Sequence, residues 1–209
     1  WRDPRLAEEA ATMMKMQISA DQTDVPRSEA TSILFLDSPD HERIRVPLMK
    51  AFYTRIAKFR PAFEAIVDKA LARIDPSEPF DLMSVFCVPI PIDAIATILG
   101  VDHERLVEFR RWSEGVIQGL NPYRNEAESA EMEICQEALN AYFTEAIISR
   151  REKPGDDLIS DMTKLQAEGA NISDTELRIN FGALLVGGNL TTTDLIGNAV
   201  RLLLINPSE

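Results

Sequence analysis

The stretch from Ser173 to Ile205 reads SDTELRINFGALLVGGNLTTTDLIGNAVRLLLI. It opens with Ser173-Asp174-Thr175-Glu176, the spacing of a capping box in which Ser173 caps a helix and Glu176 reaches back to its amide. Helical pattern then continues to about Ile205, which at 1.5 Å per residue gives a rod of roughly 45 Å. Apolar residues fill most of its turns, so it is expected to run through the middle of the molecule as a central helix. Halfway along stands Gly187-Gly188-Asn189-Leu190-Thr191-Thr192-Thr193-Asp194, where local propensity opposes helix. Each glycine costs about 1 kcal/mol relative to alanine, and threonine is a poor helix former. Ala183, Gly187 and Thr191 lie four apart on one face, with Leu184 and Gly188 beside them. That face is a bare groove with one hydroxyl. It suits a flat ligand approaching the backbone, with Thr191 donating to it or bonding back into the helix; it equally suits close helix packing at small residues with solvated threonines.

Working outward, apolar residues recur at helical spacing almost everywhere. Ile56, Phe59, Phe63, Ile66, Val67, Ala70, Leu71 and Ile74 paint one stripe, predicting a helix over about 56–74. Cys135, Ala138, Leu139, Tyr142, Phe143, Ala146 and Ile147 do the same, followed by Arg150-Arg151 at the C-terminal end and a stop at Pro154-Gly155. Shorter helices are predicted from about Asp93 to Leu99, closed by Gly100, and from about His103 to Ile117. Phe80-Asp81-Leu82-Met83 reads as a short strand. Residues 17–32 and 119–128 are polar, lack a clean period and read as loops. No repeat is present.

Composition bounds the function. The 209 residues carry 22 basic and 34 acidic side chains, a formal net charge of −12, with no basic block. Nucleic acid is therefore excluded as a partner, because phosphate binding draws on clustered lysine and arginine. The two cysteines, Cys87 and Cys135, sit in apolar stretches, which fits a reducing compartment, and a cytoplasmic location is expected. The longest apolar runs fall far short of the roughly 20 residues a membrane span requires, so no membrane association is expected. The chain opens on Trp1 and closes on Pro207-Ser208-Glu209, the pattern of a helix start, so it is expected to be part of a longer protein.

A second place carries chemistry. In Asp37-Ser38-Pro39-Asp40-His41-Glu42-Arg43-Ile44-Arg45, Ser38 suits an N-cap and Pro39 the first helical position. His41 and Arg45 are then i and i+4, a paired donor set for a carboxylate or phosphate, or a plain solvated face. The only other histidine is His103; no H-E-x-x-H, phosphate loop or G-x-S-x-G elbow occurs.

Taken together, the segments resemble the N-terminal and middle part of a soluble bacterial cytochrome P-450, a haem-thiolate monooxygenase. Trp1-Arg2-Asp3-Pro4-Arg5 resembles the end of the family's early helix, and Ile33 to Arg45 the start of its C helix, followed by Ala51-Phe52-Tyr53. Phe80-Asp81-Leu82, Pro89-Ile90-Pro91 and Ile98-Leu99-Gly100-Val101 resemble the E-helix region. Gly155-Asp156-Asp157-Leu158-Ile159 resembles the H helix, and Gly187 to Thr192 the oxygen-binding bend of the I helix. Six weak pieces in order over nearly the whole chain make the likeness specific. The fold it implies is mainly α, a partial P-450 fold from roughly the B helix to the I helix with a minor β element, all of residues 1–209 belonging to one haem-monooxygenase domain.

By that resemblance His41 and Arg45 would hold the propionates of haem b, and Thr191 would hydrogen-bond bound dioxygen in a kinked I helix. Gly187 and Gly188 would leave room for the oxygen and the haem face, and Ala183 and Val186 would face an apolar small-molecule substrate. Residues 17–32 would correspond to the access region, and 113–130 to a lid between mobile helices. Electrons would come ultimately from NAD(P)H through a ferredoxin-type or flavin partner. Where the family usually carries an acid before the threonine, this chain has Leu190; Asn189, Asp194 or ordered water would then relay protons. The family's E-x-x-R pair and cysteine loop, the source of the axial thiolate, lie beyond that helix, so no metal ligand is expected here. Glu108 and Arg111 have the E-x-x-R letters but sit far upstream, and are taken as coincidence. The alternatives are a non-enzymatic helical ligand-binding or regulatory module, and a catalytically dead truncated paralogue.

Overall fold

The computed structural model describes residues 31–207. Six helices carry its architecture: α1 (Asp40–Leu71), α2 (Pro89–Leu99), α3 (Leu106–Ile117), α4 (Glu126–Glu152), α5 (Leu158–Ala167) and α6 (Asp174–Ile205). The helix α6 is the predicted central rod, and it packs against α2, α3 and α4. Its N-terminus is the expected capping box, in which Ser173 Oγ accepts from the Glu176 amide at 3.2 Å and Glu176 Oε2 accepts from the Ser173 amide at 2.8 Å. The core between these helices holds Phe109, Leu139, Phe143, Leu158, Phe181 and Leu185, all essentially inaccessible. Phe109 meets Tyr142 edge-on at 4.8 Å and Phe143 meets Phe181 at 5.9 Å, tying α3, α4 and α6 through one aromatic chain.

Several expectations are corrected. The stripe assigned to 56–74 belongs to a longer helix that begins at Asp40 and contains Pro47 and Pro61. Each interior proline opposes a helix by about 3 kcal/mol, and burial of Ile44, Leu48, Ala51 and Ala70 outweighs that opposition. Ser38 does not cap α1; the N-cap position is Pro39, and the Ser38 hydroxyl donates to Glu42 Oε1 at 2.8 Å. The helix expected from Cys135 starts at Glu126, because Asn125 and Glu128 form a second capping box within the stretch assigned to a loop. Residues 103–105 form a 3₁₀ turn ahead of α3.

No strand occurs among the described residues, so the minor β element is absent from them. Asp81 ends the extended segment by accepting from the Met83 amide at 3.0 Å, and Met83–Cys87 follows as one π turn. The central helix runs uninterrupted from Asp174 to Ile205, as its pattern implies. Trp1 to Arg5 and all but the last residues of the 17–32 loop lie outside the described residues.

Three helices meet where α6 begins. Arg151, in the last turn of α4, pairs with Asp174, which also accepts from Gln166 Nε2 of α5 at 2.9 Å. The Arg151 bond holds the Asp174 carboxyl below its ordinary pKa, and Arg111 does the same for Glu131. A depressed carboxylate binds its proton more weakly in the folded chain than in the unfolded one. Its stabilisation is therefore complete above the ordinary carboxylate range and is lost as pH falls through the folded-state pKa. Stability should decline from about pH 5 downward. Denaturant titrations from pH 7 to 3 should show a shallower acid limb for Asp174→Asn, and superimposable limbs would refute this account of the junction.

Candidate functional site

The Gly187–Asp194 stretch is where α6 departs from ordinary helix chemistry, and the structure divides it into two faces. Gly188 is a packing glycine: a Cβ there would lie 3.0 Å from Cγ1 of the buried Ile95 on α2. Gly187 is the opposite case, exposed, with no atom beyond its own stretch of helix backbone within 4 Å of the position a Cβ would take. Close packing and an open groove are thus both realised, at adjacent residues. Thr191 follows Gly187 by four residues, about 40° further round the helix, and is exposed. Its hydroxyl donates to the Gly187 carbonyl at 2.5 Å, the back-bonding that threonine offers inside a helix. Ala183 lies four residues before Gly187 and is half-buried.

Asp194 lies three residues after Thr191, about 60° round the helix, and is exposed. It borders a cavity of about 500 Å³ lined also by Leu82, Met83, Gly197, Asn198 and Arg201. Asn189 lies on the far side, about 160° from Thr191, and is fully buried. Its Oδ1 accepts from Arg110 Nη1 of α3 at 3.0 Å. Val186 is also buried and packs into the core. Leu190 is half-buried against the same core. The open face therefore carries Ala183, Gly187, Thr191 and Asp194, while Val186, Gly188, Asn189 and Leu190 turn toward the protein.

His41 and Arg45 both stand on the first turns of α1, half-buried and exposed respectively. Among the described residues neither side chain makes a hydrogen bond or ion pair, and the His41 backbone amide donates to the Asp37 carbonyl at 3.0 Å. The cation between them behaves differently. Arg43 Nη2 pairs with Glu176 Oε1 of α6 at 2.5 Å, Nη1 donates to the Asn171 carbonyl at 2.5 Å, and Asp40 Oδ1 closes the set at 2.8 Å. The Glu176 bond raises the Arg43 pKa further still, so it remains a permanent cation fixing the start of α6 to the start of α1.

The E-x-x-R letters upstream are a coincidence of spacing, since Glu108 pairs with Arg105 and Arg111 with Glu131. Cys87 and Cys135 are free and fully buried, and burial pushes both thiols up, away from the thiolate that binds a metal. The residue that sequence reasoning passed over is Arg110. Its signal was a cation within the apolar stripe of α3, one position after the buried Phe109 and three before the buried Ser113.

No protein-family model matches the chain. It is 34% identical to cytochrome P450 107B1 of Saccharopolyspora erythraea, over 99% of this chain and 51% of that protein. The chain belongs to the cytochrome P450 family. Erythromycin C-12 hydroxylase of the same organism is 33% identical over 83% of the chain and 44% of its own length. Among solved structures, P450BioI in complex with an acyl carrier protein bearing hexadec-9Z-enoic acid superposes with a TM-score of 0.79 at 27% identity, covering 96% of this chain and 55% of that one. The chain spans about half the length of the curated relatives it matches. Its partial P450 fold is that of these neighbours. Among the described residues no helix is long and apolar enough to cross a membrane.

The haem that a P450 implies fits the residues present. The open face at Gly187 admits a flat group against the backbone, and the His41 and Arg45 side chains are donors without a protein partner among the described residues. The two glycines should separate in stability. Gly187→Ala gains up to about 1 kcal/mol of helix propensity, whereas Gly188→Ala sets against that gain the roughly 1–3 kcal/mol cost of overpacking on Ile95. Thermal melts of the two variants side by side check this, and an equal or higher melting temperature for Gly188→Ala would contradict it.

Proposed function

We propose that the protein carrying this chain is a cytoplasmic haem-thiolate monooxygenase acting on an apolar small molecule. The overall reaction converts substrate C–H, O2, two electrons and two protons into C–OH and water. The electrons derive from NAD(P)H and arrive through a ferredoxin-type or flavin protein. The observation that carries this reading is the asymmetry of α6: a side-chain-free, open position at Gly187 with a threonine hydroxyl one turn on. The hydroxylase and P450 names of the relatives support it.

Residues 1–209 form one part of that single domain, and the thiolate ligand comes from a region outside them. His41 and Arg45 hold the haem b propionates by charge-assisted hydrogen bonds from two successive turns of α1. Arg43 keeps that turn in place by its bonds to Glu176 and Asn171. The haem, when bound, supplies the iron at which dioxygen is reduced. Gly187 keeps the helix surface clear for the oxygen, with Gly188 letting α6 lie close on α2 behind it. Ala183, on the open face, borders the substrate; Val186, buried behind it, shapes that border through packing.

Thr191 Oγ is the atom at which a proton is held and passed on. With Leu190 unable to relay protons, Asp194 is the carboxylate nearest in helical register on the same face, and water between the two completes the path. Asn189 faces Arg110 and contributes to the helix instead.

The test is an absorption spectrum of the full-length protein, as isolated and after reduction under carbon monoxide, followed by turnover of Thr191→Ala. A thiolate-ligated haem spectrum is expected in both proteins. Product formed per NAD(P)H consumed should fall in Thr191→Ala, with the rate of product formation down about a hundredfold, the range for a lost proton-transfer group, and with recovery in Thr191→Ser. Absence of haem from the unsubstituted protein, or unchanged coupling in Thr191→Ala, would overturn the proposal.

A further inference from the structure

Arg110 is half-buried on α3 and reaches the middle of α6 from the side opposite Thr191. Its Nη1 donates to Asn189 Oδ1 at 3.0 Å and to Thr193 Oγ1 at 3.2 Å, while Nε is held by Glu114 Oε1 at 2.6 Å, one turn along its own helix. Asn189 and Thr193 are one turn apart and both fully buried. Thr193 Oγ1 in turn donates to the Asn189 carbonyl at 2.9 Å, so the guanidinium is linked through one hydroxyl to the backbone of α6. The other half of the Asn189 amide, Nδ2, has no hydrogen-bond partner among the described residues. Everything that satisfies this buried side chain therefore comes through Oδ1, from Arg110.

The segment so held is the one whose composition opposes helix, with glycines at 187 and 188 and threonines from 191 to 193. The hydroxyls of Thr191 and Thr193 bond to the carbonyls of Gly187 and Asn189, competing with backbone amides for them. A helix weakened in this way is free to rotate or open locally unless fixed from one side, and Arg110 is the fixed charge on that side. We propose that Arg110 is a positioning residue for oxygen activation: by gripping Asn189 and Thr193 it holds the Gly187–Thr193 segment in the rotation that presents Gly187 and Thr191 to the open face. This rests on the reading of that face as the oxygen side.

The experiment uses the full-length holoenzyme with Arg110→Ala, Arg110→Lys and Thr193→Val. Thr193→Val removes one acceptor at nearly constant volume, and so keeps the test open should Arg110→Ala fold poorly. Amide hydrogen exchange is read in peptides spanning 183–195, with 174–182 and 158–167 as internal references. Arg110→Ala should speed exchange in the 187–193 amides about tenfold, the fold-change that follows from losing a hydrogen bond to a charged donor. The reference segments should stay unchanged. Thr193→Val should show a smaller rise at the same amides, and Arg110→Lys partial recovery.

In the same proteins, product formed per NAD(P)H consumed should fall with exchange in rank order, while the substrate Kd from spectral titration stays constant. Unchanged exchange at 187–193, a uniform rise across α5 and α6, or a local rise with unchanged coupling would each overturn the proposal. Absence of a haem spectrum from the unsubstituted protein overturns the monooxygenase reading itself, and is seen before any variant is made.

Discussion

The central helix must stay helical through residues whose own chemistry opposes it. Gly187 and Gly188 together cost about 2 kcal/mol relative to alanine, and three consecutive threonines add more. A surface helix with that composition would fray or bend. Here it is held by what surrounds it: Ile95 packed into the space that Gly188 leaves, Arg110 donating to Asn189 and Thr193, and apolar side chains from Leu177 to Val186 buried in the core. The remaining architecture follows from supplying those neighbours. The helix α3 presents Arg110, α2 presents Ile95, and α4 backs them with Phe143 and Leu139. The Arg43–Glu176 and Arg151–Asp174 pairs set where the helix starts.

Among the described residues all of that support comes from one side, and nothing covers the other. Gly187 meets nothing beyond its own stretch of helix backbone within 4 Å, Thr191 and Asp194 are exposed, and from Leu202 to Ile205 four apolar side chains are more than half exposed. Burying polar groups behind a helix while leaving glycine and hydroxyl in front is costly for stability alone. Asn189 shows this most clearly, since one of its two amide groups is buried without a partner among the described residues. A sequence selected only to pack would place leucine at 189 and alanine at 187. The arrangement suits a helix whose front must remain approachable and whose position must be fixed.

Most of the fold was legible because its signals are local. The Ser173–Glu176 box and the Gly100 stop follow from side chain–backbone bonding and left-handed backbone, and both are where their residues imply. The misses have two causes: a local rule outvoted by burial, and a local rule overlooked. The stripe at 56–74 marks only the second half of α1, which runs back to Asp40 through Pro47 because burial of Ile44, Leu48 and Ala51 outweighs the proline. Asn125 and Glu128 satisfy the same box as Ser173 and Glu176 but lie in a polar stretch without apolar period, and so were hidden. At the site, the i, i+4 relation of Gly187 to Thr191 was readable, whereas Arg110 against Asn189 joins residues 79 apart in sequence and no spacing rule connects them.

The Thr191 hydroxyl has one proton, and in this structure it is given to the Gly187 carbonyl. What the oxygen offers to the open face is therefore its lone pairs. In the proposed enzyme this makes Thr191 first an acceptor: a proton arrives at Oγ from water or from the Asp194 side, and the original proton leaves when the hydroxyl turns from the carbonyl. Releasing that carbonyl returns it to the backbone amide of Thr191, so the turn of the hydroxyl strengthens the helix at the moment it weakens the side-chain bond. An acid at position 190 would add a second donor on a neighbouring register, but Leu190 sits against the core, where a carboxylate would be desolvated. Restoring the family's acid there would therefore place its charge among apolar side chains, not on the face that Thr191 serves.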